Sequence, residues 1–189
     1  MTMKLSRWPL WLGVFLFFTL LACTTTPPPV KNRPLIPLQK ANLTMVIEEQ
    51  MGLEISLEDV KDARDYYRGG VQKKAKADKQ FQAKNYKVAL DLYDISNEYF
   101  LFLLDYISND FLSYPLFEGS QILFFPRLLM ADNYLKMGRI YQGMEREGSA
   151  RRKWRQALTA VEKSLASERT EWGENVRKEI LAALKSVDR

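Results

Sequence analysis

The chain has 189 residues, a formal net charge of +5, a single cysteine and no histidine. The last two facts exclude imidazole acid–base catalysis, a Ser-His-Asp arrangement, every His-containing metal site and an intrachain disulfide. The residues beyond position 40 are numerous enough for one domain with a sizeable core.

At the front, Lys4 and Arg7 precede the apolar run WPLWLGVFLFFTL, which leads through LLAC into TTTPPP. A positive start, a short apolar core and prompt prolines form the pattern of an export signal rather than of a permanent span. Leu20, Leu21, Ala22 and Cys23 resemble the lipobox of bacterial lipoprotein precursors. That resemblance implies a signal peptide over 1–22, diacylglycerol on the Cys23 thiol, cleavage just before it and acylation of the new amino terminus. Several acyl chains anchor stably where one binds marginally. Thr24 stands where an Asp would resemble an inner-membrane retention signal, so the resemblance implies an outer-membrane protein facing the periplasm. Residues 23–41 then read as a Thr/Pro-rich tether, because Pro27 to Pro29, Pro34 and Pro37 favour extended, semi-rigid backbone.

Residues 42–189 read as helical almost everywhere. A short helix is predicted over 42–52, closed by Gly52, and a longer one begins at Ser56, with Asp59 at capping-box spacing. Gly69 and Gly70 weaken its middle by about 1 kcal/mol each, which predicts a kink or break. After Lys84 and Asn85, the residues Tyr86, Ala89, Leu90, Tyr93, Asn97, Phe100, Leu101 and Leu104 recur every three or four positions and define one buried face. Lys87, Asp91, Asp94 and Glu98 occupy the opposite, wet side. Residues 108–119 read as a loop, unusually apolar through Phe111, Leu112, Tyr114, Leu116 and Phe117, which either fold onto the core or form an interface. A third helix starts near Pro126. The fourth, over 148–167, buries Ala150, Trp154, Ala157, Leu158, Val161 and Leu165. The fifth starts at Glu171 with Thr170 as its cap.

Small and aromatic residues recur at fixed spacings in two of these helix pairs. Ala77, Tyr86, Ala89 and Tyr93 form one set; Gly138, Tyr141, Ala150, Trp154 and Ala157 form the other. The pattern resembles the tetratricopeptide repeat (TPR), a helix-turn-helix unit of 34 residues. Ser96 replaces the usual alanine, Lys84 and Glu145 replace the turn glycine, and the closing proline is missing. The resemblance implies an irregular TPR-like stack of antiparallel helix pairs that binds protein through a groove and has no chemistry of its own. Partner-facing candidates on the first helix of each pair are Lys73, Lys76, Gln80, Asn133, Lys136 and Tyr141.

No catalytic residue, metal ligand or cofactor site is expected. Neither Glu118 with Asp132 nor Glu98 with Asp105 comes with a supporting group, Asp91/Asp94/Glu98 read as a solvated face, and there is no Gly-rich phosphate loop. The basic run REGSARRKWR at 146–155 likewise reads as a solvated helix face rather than a nucleic-acid site. The expected partners are membrane lipid, through the acylated amino terminus, and an envelope protein or peptide. The leading function is an adaptor or scaffold, pilotin-like or related, assisting assembly of a bacterial envelope complex. The alternatives are an envelope enzyme or glycan-binding accessory subunit, and a structural subunit of a larger assembly. The sequence assigns no oligomeric state.

Overall fold

The computed structural model describes residues 61–109 and 125–187. They form five helices: α1 (Lys61–Gln82), α2 (Tyr86–Asn109), α3 (Phe125–Gly143), α4 (Glu147–Ser167) and α5 (Glu171–Val187). The all-α expectation holds, and the helices pack in consecutive pairs. Cys23, the tether, the helix expected at 42–52, the Ser56 cap and the apolar stretch 111–117 lie outside the described residues.

Successive helices run antiparallel. In the first pair Tyr93 meets Asp78 while Phe100 meets Gly70; in the second, Trp154 meets Gly138 while Arg127 reaches Ser167. α5 folds back along α4, with Gly173 beside Leu165 and Arg151 Nη2 donating to the Val187 carbonyl. Thr170 caps α5 as expected, its Oγ1 accepting from the Gly173 N–H at 3.0 Å.

The break expected at Gly69 and Gly70 is absent, and α1 is continuous. A Cβ on Gly70 would lie 2.5 Å from Phe100 Cε1, and one on Gly69 2.5 Å from Tyr99 Cε1. The two glycines let α2 lay its rings against the α1 backbone, and this packing outweighs their poor helix propensity.

The two hairpin turns are copies of each other, 61 positions apart. Lys84 N–H bonds to Phe81 O and Asn85 N–H to Gln80 O; Glu145 N–H bonds to Gln142 O and Arg146 N–H to Tyr141 O. These are the two bonds of a Schellman motif, which needs a left-handed residue just past the helix. Lys84 and Glu145 supply it with φ of 61° and 58°, without being glycine.

The core runs through all five helices, with Phe100, Leu103, Leu128, Leu129, Trp154 and Ile180 essentially inaccessible to water. Burying each such side chain contributes about 1.5–3 kcal/mol. Helix α3 is central, packing against α2, α4 and α5, and is buried on nearly every side from Leu128 to Ile140. Its polar residues therefore have to find partners inside the protein.

Candidate functional site

The polar residues of α3 meet those of the first hairpin in a buried cluster. Lys74 on α1 lies 2.5 Å from Asp132 Oδ2 and 3.1 Å from Asn133 Oδ1. Lys136 lies 2.9 Å from the same Asp132 oxygen and 2.5 Å from Asp78 Oδ1, which also accepts from the Tyr93 hydroxyl at 2.6 Å. Asn133 Nδ2 donates to Ser96 Oγ at 3.1 Å and to Asn97 Oδ1 at 2.9 Å, and the Ser96 hydroxyl donates to the Gly70 carbonyl at 2.8 Å. Two cations and two carboxylates thus neutralise one another where water has little access. Asn97 Nδ2 is the one buried side-chain polar atom among the described residues with no hydrogen-bond partner.

The electrostatics follow from these contacts. Burial pushes Asp78 upward, but Lys74 and Lys136, with hydrogen bonds from Lys136 and Tyr93, outweigh it and hold the carboxyl below its ordinary range. Burial also pulls Lys136 down, yet Asp132 and Asp78 more than compensate, so its ammonium is held more firmly than in water. For Lys74 burial wins and its pKa is lowered, with Lys136 adding to the effect and Asp132 and Asp78 opposing it. Burial, then the bond to Asp78, keeps Tyr93 a neutral phenol well above its ordinary range. Every charged member of the cluster is held by another, so the arrangement fastens the hairpins together.

A separate, open feature lies on the other side of α3. Helices α2 and α4 form the walls of a groove of about 890 Å³ with α3 as its floor. Leu101, Leu104, Met130, Tyr134 and Ala160 give it an apolar lining. Arg127, Arg151, Arg152, Arg155 and Lys163 line it with cations, against one acid, Asp105. Along α4 the lining residues run from Gly148 to Lys163 at spacings of three and four, the side opposite the buried Ala150, Trp154, Ala157 and Val161. Lys153 bridges to Asp94 of α2 at 3.1 Å, fixing the distance between the walls.

The sequence candidates fall elsewhere. Asn133 and Lys136 are turned into the buried cluster rather than displayed to a partner, because α3 is enclosed. Lys76 is exposed; Lys73 and Gln80 are half-buried, and Gln80 Oε1 accepts from Asn85. Tyr141 is half-buried, with the Arg146 guanidinium 5.6 Å above its ring. None of the six lines the groove, which is built mainly from the second helix of each pair. The signals for the groove were the basic run at 146–155, three of whose arginines face it, and Leu101, which shares the period of the α2 core face yet is 49% exposed. Among the described residues no group of three His, Cys, Asp or Glu side chains is placed to hold a metal ion, and no helix is long and apolar enough to cross a membrane.

Comparison of the chain with family models, with curated proteins and with solved structures gave no match.

Proposed function

We propose that the chain is a bacterial lipoprotein, anchored through Cys23 to the outer membrane, whose TPR-like helices serve as a docking module for an envelope complex. The observation that carries the docking part is the groove between α2 and α4, about 890 Å³ with an apolar lining and a cationic wall. A cavity of that kind on a rigid helical frame suits recognition of another macromolecule. The TPR-like reading draws support from the antiparallel hairpins, the repeated turn and the close approaches at Gly70 and Gly138. Anchoring rests on the LLAC sequence and the basic-then-apolar residues before it. A pilotin-like role, carrying another subunit to the membrane, is the form of adaptor that tether and groove together suit.

Two measurements test this. Intact mass of the membrane-extracted protein should show cleavage before Cys23 and the added acyl chains; an unacylated Cys23 removes the anchoring half. A photocrosslinker at Gln156, in the groove wall, should capture a defined envelope protein from intact cells, and a bulky Thr159→Trp change should abolish that capture. Capture that persists despite the plugged groove removes the docking half.

A further inference from the structure

The docking reading, on which this step rests, leaves the partner's chemistry open, and the groove itself narrows it. We infer that the groove receives an acidic amphipathic helix of a partner protein, laid along α4 with its apolar face on Leu104, Met130 and Tyr134 and its carboxylates toward Arg152, Arg155 and Lys163.

Three observations carry this. The first is charge. Arg152, Arg155 and Lys163 are exposed and, among the described residues, their side-chain cations have no ion-pair or hydrogen-bond partner, unlike that of Lys153 next to them, which is held by Asp94. Unpartnered cations along one apolar wall complement an occupant with acids on the matching flank. The α2 wall carries Asp105, so acids on the occupant's other flank would be repelled there, which sets its orientation.

The second is length. From Gly148 to Lys163 the α4 wall extends about 22 Å, the rise of roughly four helical turns. The cations are distributed along it: Arg152 near one end, Arg155 further in, Lys163 at the other. An acyl lipid brings one anionic head at one end of an apolar body, whereas a helix with acids every three or four residues repeats its charge along the whole wall.

The third is backbone chemistry. The walls and floor are helices whose own backbone groups are bonded within them, so they offer side chains and no free sheet edge. An extended peptide would gain no backbone hydrogen bonds from these walls, while a helix brings its own already made.

The test uses the full-length protein in phosphatidylcholine nanodiscs and two fluorescein-labelled, 18-residue helical peptides, each with a leucine stripe, one flanked by glutamates and the other by lysines. Anisotropy should report binding of the glutamate peptide, weakening with added salt, and little binding of the lysine peptide. Arg152→Glu combined with Arg155→Glu should weaken the glutamate peptide at least ~10-fold and strengthen the lysine peptide. If Thr159→Trp blocks binding but charge reversal changes nothing, the groove is a docking site and the acidic helix is the wrong occupant. If neither change matters, the docking reading falls as well. Competition by phosphatidylglycerol vesicles would assign the groove to lipid, and crosslinking from Gln156 to residues 110–124 of the same chain would assign it to the protein itself; either result overturns the proposal.

Discussion

The two hairpins share one backbone plan and fill it with opposite chemistry. Gln82 and Tyr86 bound the first turn as Gly143 and Glu147 bound the second, each 61 positions on. Ala77 corresponds to Gly138, Tyr93 to Trp154 and Ser96 to Ala157. In α3 and α4 the aromatic covers a glycine and donates its indole N–H to Leu135 O at 3.2 Å, closing an apolar interface. In α1 and α2 the aromatic ends in a hydroxyl that binds Asp78, and the position held elsewhere by Ala157 is a serine bonded across to Asn133. A hairpin geometry therefore specifies where a ring and a small residue must sit; whether the interior is dry or ionic is decided by a few neighbours such as Lys74 and Asp132.

The largest expected effect that separates the hairpins is at Asp132. Replacing it with Ala strands Lys74, whose next carboxylate is Asp78 at 3.5 Å, and should cost about 3–5 kcal/mol in denaturant unfolding. Removing both charges, as Lys74→Met with Asp132→Leu, should recover most of that loss and leave the Lys136–Asp78 pair in place. A double variant as unstable as the single one would mean that shape, not charge, governs the site.

In the dry hairpin the matching experiment is Gly138→Ala, whose new Cβ would sit 2.1 Å from Trp154 Nε1. It should cost about 1–3 kcal/mol. Adding Trp154→Tyr, which recreates the Ala77/Tyr93 combination, should restore part of the loss, and a double-mutant cycle reads the coupling directly.

The ionic hairpin should also respond to pH. Asp78 is depressed in the folded state, so its contribution is present above its unfolded value of 3.8 and is lost as pH falls through the lower folded value. Lys136 is raised, so its contribution is present below 10.5 and is lost as pH rises through the higher folded value. Lys74, lowered by burial, releases its proton more readily when folded and offsets part of that alkaline loss. Stability should hold between these limits and fall on the acid side, and Asp78→Asn should flatten the acid limb in a series of thermal melts.

The smallest effect is shared by both hairpins. Lys84→Gly and Glu145→Gly each relieve a left-handed residue and should stabilise by about 1 kcal/mol, additively, since the turns are separate.

Much of this architecture was legible in the chain. The period of three and four located α2, α4 and α5, and Thr170 announced its cap, because capping and amphipathic faces depend on local sequence. The unbroken α1 was not legible: the reason for Gly69 and Gly70 lies in rings 30 residues away. The enclosure of Asn133 and Lys136 was equally hidden, since lone polar residues on a central helix look like surface until their partners from another hairpin arrive. The groove was half visible. Its arginines stood out as a basic run, but only the tertiary fold sets them beside Leu101, Leu104 and Met130.

The cluster around Asp132 also bears on modularity. Stacked hairpins are ordinarily interchangeable units, each loosely indifferent to which copy adjoins it. Here a lysine from one unit is neutralised by an aspartate of the next, so a fragment ending before α3 would lose the Asp132 and Asn133 partners of Lys74 and keep only Asp78, at 3.5 Å on its own helix. Neither half is a free-standing part, and amide exchange across α1 to α3 should report a single opening event rather than two.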